Sequence, residues 1–293
     1  MPRRALRADG GRPAGLPAPE PRRARLRGPG RASDVARRSL VGALERPALI
    51  EGEPTDEGAW RHWLAGLRCH ELSLEDWLPA TARLVVVAPH PDDEILASGG
   101  LISTHVAQGG RVQIVAVTNG EASHNGTPAV NPDDLAYLRR HERWLGLRQL
   151  GLAQPSVVAL ALEDGRVQQR GADLLARLMP LLRPDDVVVS TWENDGHPDH
   201  DMTGQMVRRA SVAIGCTHLA APVWMWHWAT PGDTRIPWLR LRAVPLSAEA
   251  GSRKQTALAA HRSQLGPRSA DLGAVLGPAI VARAAWRTEY YFV

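Results

Sequence analysis

Four runs of consecutive apolar, mostly β-branched residues constrain the fold of this chain more than any other feature. They are RLVVVA (83–88), RVQIVAVT (111–118), SVVALAL (156–162) and DVVVST (186–191). A strand with one face in water alternates apolar and polar residues, whereas an uninterrupted apolar run indicates a strand buried on both faces. Helix-like segments follow these runs at 93–108, 133–151, 171–182 and 200–215. The alternation predicts a Rossmann-like three-layer α/β/α fold with a mostly parallel sheet, whose active site lies at the C-terminal ends of the strands.

The composition of the 293 residues changes along the chain and predicts its domain organisation. Residues 1–38 are rich in Arg, Pro, Gly and Ala and contain no aromatic residue, which is typical of a disordered extension. We expect one α/β domain over residues 39–293. Its predicted parts are a helical lead-in (39–82), a catalytic core (83–265) and a C-terminal segment (266–293). The core should end in a helix over 247–265, and EYYFV (289–293) is interpreted as an edge strand.

Charge and hydropathy exclude several classes of function. Eleven arginine and three acidic residues lie within residues 1–40, so the remainder of a chain with net charge +4 is slightly acidic and offers no nucleic-acid footprint. A basic arm that binds nucleic acid is the alternative to a disordered extension without a role. No apolar run is long enough for a membrane span. Two distant cysteines, Cys69 and Cys216, indicate free thiols and a cytoplasmic location.

Two similar segments place ligand-type side chains at strand ends. The runs that end at residues 88 and 191 each lead into His-Pro-Asp, at His90 and at His197. His90 and Asp93 lie three residues apart across a helix start, so their side chains can converge, and His200 can complete the set. Two imidazoles and one carboxylate form a common catalytic zinc set that leaves one position open. The sequence therefore predicts Zn²⁺ at this site, although Fe²⁺ or cobalt fits the same ligands.

The remaining polar residues of the two segments have candidate catalytic roles. Asp92 is placed to accept the proton of a water molecule activated by the metal. His197 faces the same edge and can stabilise an oxyanion or protonate an amine, while Asp199 can orient an imidazole. An acidic helix start is also common without any function, because it suits the helix dipole. Two copies of His-Pro-Asp, each followed by a ligand-type residue, are harder to explain in that way.

PHPDDE (89–94) and HPDHD (197–201) together resemble the paired signatures of the PIG-L/LmbE-like zinc-dependent de-N-acetylases. The segments TNGE (118–121), RRHE (139–142) and KQTALAAHRSQ (254–264) resemble secondary motifs of that family. The resemblance implies zinc on His90, Asp93 and His200. It also implies Asp92 as general base, His197 as acid or electrostatic partner, and Asp199 in support of His197. Some members carry a tyrosine where this chain has Asp195, so another group is expected to do that work or the substrate differs.

We therefore predict an enzyme that removes an N-acetyl or N-acyl group from a small amino-sugar conjugate. Arg139, Glu121 and Asn119 are candidate substrate-binding residues, although a solvated helix face is the alternative for the arginines at 139, 140 and 143. A relative that binds sugar or metal but has lost catalysis is the rival interpretation. The sequence gives neither the oligomeric state nor the physiological substrate.

Overall fold

The computed structural model describes residue 50 and residues 52–67, 69–127 and 130–293. The predicted disordered extension (1–38) and the first part of the predicted lead-in therefore lie outside the described residues.

The centre of the described region is one eight-stranded sheet in the order β1-β7-β8-β6-β5-β2-β3-β4. All neighbouring strands are parallel except β8, which runs antiparallel to both β6 and β7. The strands are β1 (His70–Glu71), β2 (Arg83–Ala88), β3 (Arg111–Ala116), β4 (Val157–Ala159), β5 (Asp186–Thr191), β6 (Thr217–Ala221), β7 (Leu241–Pro245) and β8 (Thr288–Phe292).

Side chains of the central strand β2 explain why helices cover both faces of the sheet. Leu84 and Val86 point into one apolar cluster, while Val85 and Val87 point into another on the opposite face. Successive side chains of a strand point to opposite faces, so a run without polar residues must be covered on both sides. The structure thus confirms the predicted three-layer α/β fold and its mostly parallel sheet.

Helices fill the two outer layers and carry the connections between strands. Those against the first cluster contribute Ile95, Leu147 and Ala257, and those against the second contribute Leu174 and Val207. The described helices are α1 (Glu57–Gly66), α2 (Leu74–Trp77), α3 (Asp93–Ala107), α4 (Pro132–Gln149), α5 (Gly171–Leu178), α6 (Pro198–Ile214), α7 (Met225–Trp228), α8 (Ala248–Leu258), α9 (Arg262–Leu265) and α10 (Pro278–Ala284).

Several predicted boundaries were wrong. The C-terminal strand is not an edge strand, because β8 pairs with both β6 and β7 and buries Tyr291 and Phe292 completely. The predicted helix at 171–182 gives way to a 3₁₀ turn at Met179–Leu181, because Pro180 has no N–H to continue the α-helix. The helix predicted over 247–265 breaks at His261, and β4 is only three residues long.

A tryptophan-rich cluster lies beside β8. Trp60 is fully buried, and its Nε1–H donates to the carbonyl of Trp226 at 2.8 Å. No described helix is both long and apolar enough to cross a bilayer. Cys69 and Cys216 are free thiols, while the predicted cytoplasmic location stays a prediction.

Candidate metal centre and active site

The two His-Pro-Asp turns lie at neighbouring positions on one edge of the sheet. β2 and β5 are adjacent and parallel, so their C-terminal ends, Ala88 and Thr191, open on the same side. The connection from β2 leads to β3, on the side of β2 away from β5. In open α/β sheets the crevice at such a switch point is where ligands bind.

The first turn has an unusual backbone. Asp92 precedes α3 with φ 145° and ψ −27°, a backbone conformation that residues other than glycine rarely adopt. Its carboxylate does not cap the helix. The backbone N–H of His90 instead donates to Asp93 Oδ2 at 2.9 Å, which holds the carboxylate of Asp93 against the start of the turn. Strain of this kind is concentrated at functional sites.

A break in α3 separates its first turns from the rest of the helix. Ser98 has non-helical angles (φ −150°, ψ 22°), which releases backbone groups on both sides of it. Glu289 accepts the N–H groups of Gly100 and Leu101 at 2.8 and 2.9 Å. Lys254 pairs with Glu289 at 2.7 Å and donates to the carbonyl of Leu96 at 3.0 Å. This buried ion pair satisfies the released groups and so fixes the direction of the segment that carries Asp93.

The second turn is an ordinary helix start. His197 is the N-cap of α6, and its Nδ1 accepts the N–H of Asp199 at 3.2 Å. Pro198 occupies the first helical position, which suits a residue without an N–H. A Cβ on Gly204 would lie 2.5 Å from the carbonyl oxygen of Thr191, so the absent side chain lets α6 approach β5 closely. That approach brings His200 to the strand end.

Three donor atoms from the two turns form a nearly equilateral triangle. His90 Nδ1 lies 3.2 Å from Asp93 Oδ2 and 3.2 Å from His200 Nε2. His200 Nε2 also lies 3.2 Å from Asp93 Oδ2. A tetrahedral zinc ion with ligand bonds of about 2.0 Å has ligand atoms about 3.3 Å apart. The triangle therefore matches one face of a zinc coordination tetrahedron.

Buried carboxylates hold the far side of each imidazole. Asp195 Oδ2 lies 2.8 Å from Nδ1 of His200. Nε2 of His90 lies 3.1 Å from Asp164 and 3.4 Å from Asp199. With a proton on each of these outer nitrogens, the inner nitrogens present lone pairs to the centre of the triangle, as metal-bound imidazoles do.

The charge of the site also fits a cation. Five buried carboxylates outnumber two buried guanidinium groups around the triangle, namely Asp92, Asp93, Glu94, Asp195 and Asp199 against Arg139 and Arg143. Burial lowers the pKa of His200, but Asp93 and Asp195 outweigh it and raise that pKa to about 9. The protein thus favours positive charge at this point, which a divalent ion bound at the triangle would supply.

Asp92 is held beside the triangle by an arginine. Arg139 donates to Asp92 Oδ2 at 3.0 Å and to the carbonyls of Pro91 and Gly120. Burial raises the pKa of Asp92 to about 7, and the charge of Arg139 limits that rise. His197 is different, because burial and the two neighbouring imidazoles lower its pKa to about 3. His197 is therefore a neutral ring whose Nε2–H is free to donate while its Nδ1 accepts.

Seven of the nine predicted site residues come together here: His90, Asp92, Asp93, Arg139, His197, Asp199 and His200. Asp199 contacts His90 instead of supporting His197 through its carboxylate. The substrate-binding roles of Arg139, Glu121 and Asn119 stay predictions. Glu121 accepts the N–H of Asp164, and neither Glu121 nor Asn119 lines the adjoining cavity. The solvated-face alternative is wrong for Arg139 and Arg143, which are 3% and 2% exposed.

Sequence reasoning missed Asp164 and the true position of Asp195. Asp164 follows β4, so the rule that strand ends face the site could have found it. Asp195 is fully buried and does not take the place of a tyrosine at the cavity. Besides His200, its carboxylate accepts the N–H groups of Val223, Trp224 and Met225.

A cavity of about 890 Å³ opens over the triangle. His90, Asp92, Asp93, Arg139 and His197 form its floor. This volume lies near the upper end of the range for small-molecule sites. The arrangement can hold a divalent ion, a water molecule and an organic substrate of considerable size.

Comparison with known proteins finds a similarity to one protein family. Residues 85–211 match the model of the PIG-L family, described as GlcNAc-PI de-N-acetylase. These residues are thus similar to the PIG-L family. The matched segment begins in β2 and ends in α6, so it contains both His-Pro-Asp turns and the whole triangle.

Two curated relatives that are similar to this chain are 1D-myo-inositol 2-acetamido-2-deoxy-alpha-D-glucopyranoside deacetylases. The protein from Nocardiopsis dassonvillei is 30% identical over 48% of this chain and 58% of its own. The protein from Mycolicibacterium vanbaalenii is 33% identical over 49% and 59%. The chain thus spans less than two thirds of the length of these relatives. The crystal structure of the A40926 pseudoaglycone deacetylase is similar in fold, with TM-score 0.55 and 21% identity over 72% of this chain and 96% of that one.

Proposed function

We propose that this chain is a metal-dependent amide hydrolase that removes an N-acetyl or N-acyl group from a small amino-sugar conjugate. The observation that carries the proposal is the triangle of His90, Asp93 and His200 with the carboxylate of Asp92 beside it. The activity of the two curated relatives, deacetylation of an N-acetylglucosaminyl inositol, supports this substrate class.

His90, Asp93 and His200 would hold the ion, which we propose to be Zn²⁺, with Fe²⁺ or cobalt as alternatives for the same donors. When bound, a divalent ion lowers the pKa of a coordinated water molecule and polarises an amide carbonyl. Asp164, Asp195 and Asp199 orient the two imidazoles toward the ion through their outer nitrogens.

Proton transfer falls to the residues beside the triangle. The carboxylate of Asp92 accepts a proton from the attacking water as its oxygen bonds to the amide carbon. Arg139 holds this carboxylate in place and favours its charged form. Nε2–H of the neutral His197 donates to the oxygen that gains negative charge. When the C–N bond breaks, the protonated Asp92 returns the proton to the nitrogen, which yields a carboxylic acid and an amine.

Two variants test the proposal. His90→Ala should lose bound metal and turnover together, because one ligand is gone. Asp92→Asn should keep metal and lose turnover, because the ligand set survives without the base. Release of carboxylate from N-acylglucosaminyl conjugates and metal content by mass spectrometry measure the two effects. His141→Ala, on an exposed part of α4, is the control for loss of an imidazole.

The rival interpretation is a relative that binds metal or sugar without catalysis. It predicts that the metal-loaded chain binds amino-sugar conjugates but releases no carboxylate from any of them. Near-normal turnover by Asp92→Asn would instead show that the base is assigned wrongly.

A further inference from the structure

The cavity over the triangle has two chemically different sides. One side is polar and comes from the segments that follow β3 and β4. It contributes Ser123, Asn125 and Asp164, and Gln264 reaches it through a 3.4 Å contact with Ser123. These side chains suit the hydroxyl groups of a sugar.

The remaining lining is largely apolar and includes Leu96, Trp224, Leu276 and Ile280, with Glu53 and His227 among its polar members. Leu276 lies where this apolar side meets the polar one, because its backbone N–H donates to the carbonyl of Gln264 at 2.9 Å. Leu96 is one helical turn after Asp93 on α3, so an apolar side chain adjoins a predicted metal ligand directly. Leu276 and Ile280 belong to the main apolar cluster, and Leu96 and Trp224 pack against it. This wall is therefore continuous with the core and stays in place without a ligand.

The order of strands fixes where the two sides lie relative to the triangle. The order β6-β5-β2-β3-β4 puts the catalytic turns, which follow β5 and β2, in the middle. The polar side follows β3 and β4, and Trp224 follows β6 on the other side. A substrate whose amide lies over the triangle has its amine part on one side and its acyl part on the other.

We propose that the apolar side is a subsite for the acyl group of the substrate, and that the preferred acyl group is a hydrocarbon chain longer than acetyl. This inference rests on the proposed function and specifies its substrate. An acetyl group has one methyl to bury and would leave most of the apolar wall in contact with water. A longer chain removes both its own surface and the wall from water, which is favourable in proportion to the area buried.

A series of amides measures the effect. The methyl glycosides of N-acetyl-, N-butanoyl-, N-hexanoyl- and N-octanoylglucosamine differ only in the acyl chain. Full burial of a methylene corresponds to about a fourfold gain in binding. We expect kcat/KM to rise at least about tenfold from acetyl to hexanoyl. A second series, alkyl glycosides of N-acetylglucosamine, extends the hydrocarbon from the sugar instead.

Binding to the metal-loaded Asp92→Asn variant separates this inference from the proposed function. Calorimetry with the same amides gives a chain-length dependence that needs no turnover. A rise in affinity with acyl length supports the acyl subsite even if the wild type hydrolyses none of the amides, in which case the proposed function alone fails. A rise only with the alkyl glycosides, or no rise in either series, overturns the acyl assignment.

One variant and one control locate the subsite. Ala279→Phe adds an aromatic ring at a lining position of α10 and should lower the octanoyl-to-acetyl ratio of kcat/KM at least about tenfold. Val281→Phe places the same ring two residues along the same helix, at a position that is 37% exposed and does not line the cavity. It should leave the ratio unchanged. An unchanged ratio in Ala279→Phe would contradict the proposed location.

Discussion

The two His-Pro-Asp turns share three residues in sequence and differ in almost every structural respect. In the first, Asp92 lies outside the helix with φ 145°, and Nδ1 of the histidine is one corner of the triangle. In the second, Asp199 is already helical, and Nδ1 of the histidine accepts a backbone N–H and so caps α6. The same three residues therefore place a predicted metal ligand in one turn and a neutral hydrogen-bond donor in the other.

The difference follows from what caps each helix. A histidine whose Nδ1 accepts a backbone N–H must carry its proton on Nε2, which makes His197 a donor toward the cavity. The first turn has no such cap, and its backbone instead bends so that Asp92 reaches Arg139. The strained turn holds the predicted base, and the relaxed turn holds the predicted oxyanion partner.

The largest contrast should appear when the corresponding aspartates are neutralised. Asp92→Asn removes the base and should lower kcat about 10²–10⁴-fold without changing metal affinity. Asp199→Asn weakens the contact that orients His90 and should lower metal affinity about 10–100-fold. Steady-state kinetics and competition with a metal indicator measure the two effects. Equal behaviour of the two variants would show that the turns do not have separate roles.

The second contrast separates the two functions of His197. His197→Ala removes both the cap and the donor, whereas His197→Asn restores a good N-cap without an imidazole. Both variants should lower kcat about 10²-fold or more, because a donor to the oxyanion is lost. Only His197→Ala should also lower the free energy of unfolding, by about 1 kcal/mol. Urea unfolding of the two variants checks this, and equal stabilities would contradict the capping role.

Sequence reasoning reached the turns but not their difference. The apolar runs before His90 and His197 predicted two strand ends, and the i, i+3 spacing predicted convergence. A sequence motif does not report φ, so nothing in PHPDDE distinguished Asp92 from Asp199. Asp164 has no motif of its own and reaches His90 only because β4 lies two strands from β2 in the sheet. Likewise the position of β8 depends on pairing between distant segments, which local patterns do not encode.

The strain in the first turn has its own test. Gly and Ala both remove the carboxylate, so the difference between Asp92→Gly and Asp92→Ala isolates the backbone. Glycine tolerates φ 145° at no steric cost, and we expect Asp92→Gly to be more stable by about 1–3 kcal/mol. At the corresponding helical position, Asp199→Gly should be less stable than Asp199→Ala by about 0.5–1 kcal/mol. Chemical denaturation of the four variants measures the difference in unfolding free energy between the Gly and Ala variants at each position. The same sign of this difference at both positions would refute the contrast.

The smallest contrast concerns the strands beneath the turns. β2 carries no polar side chain after Arg83, whereas Ser190 of β5 bonds through its Oγ to Nε2 of His218 at 2.8 Å. Burial, with Arg208 and Arg240, lowers the pKa of His218 to about 4. The ordinary value for an unfolded chain is about 6.5. The unfolded chain therefore binds a proton between these two values that the folded chain does not, and stability falls as the pH decreases through that range.

Between pH 7 and pH 5 the free energy of unfolding should fall by about 1–2 kcal/mol. Partial exposure of the His218 ring to water keeps the effect from being larger. His218→Gln keeps a side chain able to bond to Ser190 and has no titratable ring, so it should lose less stability than the wild type between pH 7 and pH 5. The exposed His62→Gln should behave as the wild type does. Unfolding free energies at the two pH values give the difference. If the His218→Gln variant kept the pH dependence of the wild type, His218 beneath the second turn would not be a source of acid sensitivity.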